Sequence, residues 1–302
     1  MSERSIANQK SLIETGWFAS RIRIEQPAYP HFFVVGPART ASTWLHNILE
    51  PHVHLPVTYK ETRFFDLLHR RGMRWYRAQF GLEADNGCFG EVAPTYFHSS
   101  LARVRIRTCA PDARIICTLR DPVERLYSLF RYKRFLANNR WTFEYAVTHD
   151  KEMIESARYA HYLKAWINDF GRSRVLVTIY DDLERDPQGY VDSICDFIGI
   201  PLFSLFPSQR VPVNGSEEIR SPSNYFLLRA FRFMVAVASS LRFNAAFKLA
   251  RWIQLKGLLL GRGQELPPLS PVTADALRKR LTPEIEEVEH IVGRDLPAWK
   301  AS

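Results

Sequence analysis

The chain has 302 residues, which is enough to bury the core of one large domain or of two small ones. Hydrophobic residues make up 46% of the sequence and charged residues 24%, a balance that argues against a disordered chain. Lys and Arg outnumber Asp and Glu by 41 to 32, and the resulting charge of +9 favours an anionic partner such as a nucleotide, a nucleic acid, an acidic glycan or a membrane surface.

Cysteine usage and the N-terminal sequence bear on the location of the protein. The four cysteines, at positions 88, 109, 117 and 195, form no CxxC pair, so no zinc site is predicted and a reducing compartment is expected. The first ten residues lack the apolar core of a signal peptide, and no run of about 18 apolar residues predicts a membrane-spanning helix. We therefore expect a cytoplasmic protein.

Short apolar strands alternate with helices over the first two hundred residues. Runs rich in β-branched and aromatic residues predict strands over 31–35, 113–119 and 175–180. Helical spacing predicts helices over 42–49, 159–170 and 187–198. This alternation predicts an α/β fold in which helices flank a central, mostly parallel sheet.

The C-terminal third is predicted to be helical. A helix is expected over 273–292, and 225–260 is expected to form a hairpin with both apolar and basic positions. Two interpretations of this hairpin remain open: core packing with solvated basic residues, which the sequence favours, and contact with a membrane surface that recruits a lipid-linked acceptor. We predict a single domain over 1–302 with a helical portion at about 225–302.

A hydroxyl-rich loop, 36–44, lies between the first strand and the first helix. Unpaired N–H groups at a helix N-terminus bind anions, and Arg39 adds a guanidinium matched to phosphate oxygens. Thr40, Ser42 and Thr43 add hydroxyl groups, although a plain turn capped by a hydroxyl explains them equally well. The loop is not a GxxxxGK[ST] motif, so a P-loop nucleotide kinase is the weaker alternative.

This loop resembles the 5′-phosphosulfate-binding loop of sulfotransferases that use 3′-phosphoadenosine 5′-phosphosulfate (PAPS), and it implies their P-loop-NTPase-like fold. The residues that the resemblance places on this donor are Arg39, Thr40, Ala41, Ser42, Thr43 and Trp44. Arg39 stands where many members have Lys, and Ala41 where most have Gly. A negative φ would suit Ala41, whereas a positive φ would strain it.

A second element, RDPVERLYS at 120–128, resembles the family's R-[DN]-P-x(5)-S signature. The resemblance implies that Arg120 and Ser128 bind the 3′-phosphate of the donor. Arg120 ends the second predicted strand and Ser128 lies two turns along the next helix, so both are expected to face one crevice beside the sheet.

The segment KETRFF at 60–65 resembles the K-E-x-x-[FY]-F segment of carbohydrate sulfotransferases and of many bacterial ones. The resemblance implies that Glu61 is the general base and that Lys60 assists sulfuryl transfer. An alcohol attacks poorly unless its proton leaves, and Lys60 together with Arg39 can stabilise the charge that develops on the leaving phosphate.

The run 90–96 resembles the family's E-K-[ST]-P-x-Y segment near the acceptor, with Val92 in place of the usual Lys. This replacement weakens the case for a heavily sulfated polysaccharide. We predict acceptor contacts from Arg63, Tyr96 and His98, and His98 is also the second candidate for the base.

Taken with these motifs, the sequence predicts an enzyme that transfers a sulfuryl group from PAPS to a hydroxyl of a sugar, a lipid-linked acceptor or a small molecule. The alternatives are a nucleotide kinase and an inactive relative that only binds a nucleotide or glycan. No metal ion is expected, because Asp121, Asp181 and Asp182 lack the spacing of a metal-binding motif. No nucleic acid is expected either, because only the net charge favours one.

Overall fold

The computed structural model describes residues 30–81, 87–137, 141–210 and 267–301. Within these ranges four parallel strands form one sheet in the order β2–β1–β3–β4. The strands are β1 (Phe32–Val34), β2 (Gly90–Val92), β3 (Arg114–Leu119) and β4 (Val175–Ile179). The three predicted strands and the parallel α/β architecture are confirmed, and β2 lies in a run that the sequence showed only as a motif.

Both faces of the sheet are buried, and its side chains alternate between two apolar clusters. Phe33 of β1 and Ile115 of β3 pack on one face, whereas Phe32 and Val34 of β1 pack on the other. Gly90 is required at the start of β2, because a Cβ there would lie 2.1 Å from the ring of Phe32. The core therefore fixes the register of the two shortest strands.

Helices cover both faces of this sheet. They are α1 (Ser42–Leu49), α2 (Gly72–Arg77), α3 (Ser100–Cys109), α4 (Pro122–Ala137), α5 (Phe143–His149), α6 (Lys151–Glu155), α7 (Tyr159–Phe170), α8 (Tyr180–Arg185), α9 (Pro187–Ile198), α10 (Pro271–Val292) and α11 (Pro297–Lys300). The apolar residues of α1 and α9 pack on the face of Phe32, and those of α3, α4, α7 and α10 pack on the face of Phe33. The helices predicted over 42–49, 159–170 and 187–198 coincide with α1, α7 and α9.

The C-terminal segment returns to the core of the domain. Trp299 is fully buried, and its indole N–H donates to Asp181 Oδ2 at 3.1 Å. Arg294 donates through Nη1 to Asp182 Oδ1 at 3.0 Å. The hairpin predicted over 225–260 lies outside the described residues, and no described helix is both long and apolar enough to cross a membrane.

The strand order changes direction at β1. The chain passes from β1 to β2 on one side and then to β3 on the other side of β1. In parallel α/β sheets, the loops that follow such neighbouring strands diverge and leave a crevice at their carboxyl ends. The crevice of this protein is therefore formed by the loop after β1 and the loop after β3.

Candidate active site

The loop after β1 is held tightly against β3. A Cβ on Gly36 would lie 2.1 Å from Thr118 Oγ1, so only glycine permits this approach. The hydroxyl of Thr40 donates to the carbonyl of Pro37 at 2.8 Å and lies 2.6 Å from Thr118 Oγ1. Thr40 is 1% exposed, so its side chain anchors the loop and leaves only its backbone to face an anion.

Two non-glycine residues of this loop adopt a left-handed backbone conformation. Arg39 has φ 78°, and Ala41, which directly precedes α1, has φ 61° and ψ 19°. The strained alternative considered for Ala41 therefore applies, and a side chain in this region costs about 1–2 kcal/mol. The conformation turns the chain so that α1 starts at the crevice.

Arg39 joins the two predicted phosphate-binding elements directly. Its Nε donates to Ser128 Oγ of α4 at 3.0 Å, and its guanidinium lies 5.3 Å from the ring centroid of Tyr132 on the same helix. Burial lowers the pKa of Arg39, and the neighbouring charges of Arg120 and Arg131 lower it further. The guanidinium is nevertheless charged at any physiological pH. The crevice is consequently electropositive.

Arg120 follows β3 and lies over an aromatic ring. Its guanidinium is 4.6 Å from the ring centroid of Tyr180, the first residue of α8. The next residue, Asp121, accepts hydrogen bonds through Oδ1 from two backbone N–H groups in the first turn of α4, at 2.7 and 3.1 Å. Arg278 of α10 lies 3.6 Å from Asp121 Oδ2. The aspartate therefore positions the helix start and is not free to bind a ligand.

The predicted catalytic pair lies at the N-terminus of α1. Lys60 Nζ is 3.1 Å from Thr43 Oγ1, 3.5 Å from Ser42 Oγ and 3.7 Å from Glu61 Oε1. Thr95 Oγ1 donates to the other oxygen of Glu61 at 3.5 Å. The structure thus brings the KE segment and the phosphate loop together, although they are separated by about twenty residues of sequence.

The surroundings of this pair bring both pKa values closer to neutrality. Burial raises the pKa of Glu61, although Lys60, Arg63 and the hydrogen bond from Thr95 oppose the shift. Burial likewise lowers the pKa of Lys60, against the effect of Glu61. The side chains of Lys60 and Glu61 remain 29% and 25% exposed, so both can meet a substrate. A carboxylate with a raised pKa is a better proton acceptor near neutral pH.

A buried carboxylate, Glu91 of β2, holds the catalytic segment in place. Its Oε1 accepts from the backbone N–H and the hydroxyl of Thr62 at 2.8 and 2.7 Å and from Tyr96 Oη at 3.2 Å, and its Oε2 accepts from Tyr76 Oη at 2.8 Å. Burial raises the pKa of Glu91 to about 7, and these four donors moderate the rise. Because Thr62 directly follows Glu61, this network fixes the backbone of the predicted base.

The structure assigns Tyr96 and Val92 to the core. The hydroxyl of Tyr96 contacts Glu91 and accepts from the backbone N–H of Phe65 at 3.3 Å, and the side chain has no exposed surface. Tyr96 therefore supports the site through these hydrogen bonds and offers no surface to an acceptor. This observation corrects the prediction that Tyr96 contacts the acceptor. Val92 is fully buried beside Val34, so packing determines its identity and it carries no information about the charge of the acceptor.

The other predicted substrate residues lie nearer the surface. Arg63 has φ 54° and donates through Nε to Asp66 at 2.6 Å. Burial lowers the pKa of the partly exposed His98, whose Nδ1 has no hydrogen-bond partner among the described residues. The charge of Arg63 lowers the pKa of both Glu61 and His98.

Trp44, the last predicted donor residue, is 6% exposed. Its indole N–H donates to the carbonyl of Gln209 at 2.8 Å, and its ring meets Tyr190 edge-on at 6.3 Å. The indole edge therefore ties α1 to the segment after α9.

Three residues of the site were missed by the sequence analysis. Arg131 and Tyr132 follow Ser128 by three and four positions, so helical spacing places all three on one face of α4 and could have revealed them. Glu91 stands at the Glu position of the run that resembles E-K-[ST]-P-x-Y, but the sequence analysis assigned it no role. Among the described residues, no group of three His, Cys, Asp or Glu side chains is arranged to hold a metal ion.

Comparisons with known proteins agree with this geometry. The sulfotransferase domain family model matches residues 29–221, more than half of the chain. The protein therefore belongs to the sulfotransferase family, which confirms the resemblance seen in its motifs. In the structural comparison, a sulfotransferase from Alicyclobacillus acidocaldarius aligns with a TM-score of 0.64 and 21% sequence identity, covering 91% of this chain and 100% of that one. This likeness shows that the fold is shared.

Curated relatives are matched over part of their length. Mouse bifunctional heparan sulfate N-deacetylase/N-sulfotransferase 4 is 26% identical over 194 residues, which cover 57% of this chain and 22% of the relative. Human heparan sulfate glucosamine 3-O-sulfotransferase 6 is 28% identical over 180 residues, which cover 57% of this chain and 53% of the relative. The chain thus spans about a fifth of the first relative and about half of the second.

Proposed function

We propose that this protein transfers a sulfuryl group from PAPS to an acceptor hydroxyl, with Glu61 as the general base. The observation that carries the proposal is the placement of Lys60 between Glu61 and Thr43 at the start of α1, while Arg39 of the phosphate loop reaches Ser128 of α4. A base, a cation and two anion-binding elements are thereby joined in one crevice. Membership of the sulfotransferase family supports this assignment.

The donor would be held at both of its phosphorylated ends. Ser42, Thr43 and Lys60 surround the N-terminus of α1, whose unpaired N–H groups suit the 5′-phosphosulfate. Arg120 and Ser128 would bind the 3′-phosphate, since they stand at the two family positions for it beside the same crevice. Arg39 lies between the two ends and can serve either.

The reaction would be a displacement at sulfur. The acceptor oxygen forms a bond to sulfur while the bond between sulfur and the 5′-phosphate oxygen breaks, and Glu61 takes the proton of the hydroxyl. The electron pair of the broken bond stays on the phosphate oxygen, where the charge of Lys60 stabilises it. The products are a sulfate ester and adenosine 3′,5′-bisphosphate (PAP). A single well-placed donor of this kind is worth about 3 kcal/mol of transition-state stabilisation.

A carbohydrate is the acceptor class that the comparisons support best. Both curated relatives described above are named for heparan sulfate, and one of them for 3-O-sulfation of glucosamine. Because Val92 is buried, the earlier argument against a charged polysaccharide no longer applies. We therefore place sugar hydroxyls of both charged and neutral glycans ahead of phenols and other small molecules.

The test is transfer of label from ³⁵S-PAPS to a panel of glycans and small-molecule alcohols. Glu61→Gln should lower kcat by roughly 10²- to 10⁴-fold, the usual contribution of a general base. Glu50→Gln, at an exposed position just after α1, is the matched control and should leave turnover unchanged. Full turnover in Glu61→Gln together with a loss in His98→Gln would assign the base to His98.

The same preparation separates the alternatives. A nucleotide kinase would transfer the γ-phosphate of ATP and would bind ADP as tightly as PAP. An inactive relative would bind PAP and yield no labelled product with any acceptor. The cytoplasmic location and the membrane contact of 225–260 stay predictions, to be tested by cell fractionation and vesicle binding.

A further inference from the structure

We propose that Arg131 is a third guanidinium in the subsite for the 3′-phosphate and that it sets the preference for nucleotides carrying this group. The inference rests on the proposed function and adds to it a specificity-determining residue that no family motif marks. It is carried by the position of Arg131 on α4, by the absence of a hydrogen-bond or ion-pair partner for it among the described residues, and by the charges around it.

The face of α4 that carries Ser128 also carries Arg131 and Tyr132. Residues three and four positions apart on a helix are neighbours on its surface. Arg39 contacts this face at two points, through its hydrogen bond to Ser128 and through its stacking on Tyr132. Arg131 lies between these points in sequence, so its side chain starts within one helical turn of the predicted phosphate ligand.

Arg131 differs from the basic residues that follow it on α4. Lys133 contacts two carboxylates, Asp150 at 2.7 Å and Glu152 at 2.6 Å. Arg134 donates through Nη1 to the carbonyl of Trp141 at 2.6 Å. Arg131 has neither kind of partner among the described residues, and its Nε, like that of Arg134, is buried without a hydrogen bond. A buried donor left unpaired costs stability unless a ligand satisfies it.

The charges of two further guanidinium groups act on Arg39, and no carboxylate among the described residues pairs with any of the three. Arg120 and Arg131 both depress the pKa of Arg39, and none of the three has an ion pair in the described part of the chain. The nearby Asp121 is occupied by the helix start and by Arg278. Like charges repel one another unless an anion enters between them. A phosphate dianion matches both the charge and the bidentate geometry of these groups.

The experiment compares the dissociation constants of PAP and 5′-AMP, which differ only in the 3′-phosphate. Arg131→Ala should weaken PAP binding by roughly 10- to 100-fold, the range for a charge-assisted hydrogen bond, and leave 5′-AMP binding within about twofold. Arg131→Lys keeps the charge without the planar fork and should give an intermediate loss. Arg134→Ala removes the same charge one turn along the helix and is the matched control.

Each outcome has a distinct meaning. A wild-type protein that binds PAP no more tightly than 5′-AMP would overturn the proposed function, and the inference with it. A wild-type preference for PAP that persists in Arg131→Ala would overturn the inference alone. An equal loss for both nucleotides, or the same loss in Arg134→Ala, would show a general charge effect and would also overturn it. Arg131→Lys supplies the same comparison if the alanine variant does not fold.

Discussion

The crevice has two halves that balance their charges differently. In the donor half, formed by 36–43, Arg120 and α4, the charges of Arg120 and Arg131 act on Arg39, and none of the three arginines has a carboxylate partner among the described residues. In the acceptor half, formed by 60–66 and β2, Lys60 faces Glu61, Arg63 pairs with Asp66, and Glu91 is satisfied by neutral donors. The proposed function assigns the missing negative charge of the donor half to a ligand, whereas the charges of the acceptor half are paired within the protein. Substitutions in the two halves should therefore change different quantities.

Lys60→Ala gives the largest expected effect among tests of this contrast. Among the described contacts, Lys60 is the only cation beside both Glu61 and Thr43. Its removal should lower kcat by roughly 10²- to 10³-fold. The dissociation constant of PAP should change much less, because Arg39, Arg120 and Ser128 remain. Steady-state kinetics and PAP titration measure the two quantities. Equal losses in kcat and in the affinity for PAP would show that Lys60 acts in donor binding rather than as part of the acceptor half.

The pH profile of the same variant sharpens the result. The proposed reaction needs Glu61 ionised and Lys60 protonated. Because burial raises the pKa of Glu61 and lowers that of Lys60, the plot of kcat/KM against pH should be a bell narrower than the two free side chains would give. Lys60→Ala should lose the alkaline limb and keep the acidic one. Lys164→Ala, at an exposed lysine that pairs with Glu287, is the control and should retain both limbs.

Glu91→Gln has the second-largest expected effect, which is on the pH dependence of the free energy of unfolding. Because the pKa of Glu91 is raised to about 7 in the folded state, the folded protein holds this proton more tightly than the unfolded chain. The stability that results from this proton is fully present below pH about 4.5, the pKa of an ordinary Glu, and is lost as the pH rises through 7. The loss in the free energy of unfolding is at most about 3 kcal/mol.

Urea unfolding at pH 5 and pH 8 measures this loss. The wild-type free energy of unfolding should fall more between the two pH values than that of Glu91→Gln, and Glu50→Gln should behave like the wild type. Identical pH dependence in Glu91→Gln and the wild type would show that the acceptor half does not hold a buried, titrating carboxylate.

Ala41→Gly gives the smallest effect and belongs to the donor half. Ala41 has φ 61°, which glycine adopts without strain, so the substitution should stabilise the protein by about 0.5–1 kcal/mol. Ala276→Gly, at an exposed position within α10, should instead destabilise it by about 1 kcal/mol. Urea unfolding distinguishes the two signs. A destabilised Ala41→Gly variant would mean that the loop does not hold this residue in the left-handed region.

The sequence predicted the elements whose signals are local. Strands β1 and β3 are continuous apolar runs that end in turn residues, so their positions and the loops after them could be read directly. Strand β2 has only three residues, too few to show alternation, so the sequence did not predict it. Without the strand, the sequence could not show which face of the sheet each side chain of 90–92 occupies. On β2, Glu91 and Val92 face opposite sides of the sheet, which explains why one became a support for Thr62 and the other a core residue.

The remaining differences arise from contacts between distant segments. Thr40 was predicted as a phosphate ligand, but its hydroxyl meets Thr118, 78 positions later. The proposed role of Arg131 depends on Arg39, whose contact with Ser128 of α4 joins residues 89 positions apart. Helical spacing could place Arg131 beside Ser128, but the contacts of Arg39 with α4 and of Thr40 with Thr118 depend on tertiary structure, and a single sequence carries no pattern for them.

The docking of the C-terminal tail has a consequence for handling the protein. Trp299 and Arg294 fasten the tail to the two aspartates of α8, and the first residue of that helix, Tyr180, supplies the ring beneath Arg120. Trimming the chain at this end would remove both contacts from α8 and weaken the support of the ring beneath Arg120, a proposed ligand of the donor. A recombinant version is therefore better tagged at the opposite terminus. Weak nucleotide affinity in a shortened version would reflect the loss of the contacts that support α8 and would not show that a ligand-binding residue had been removed.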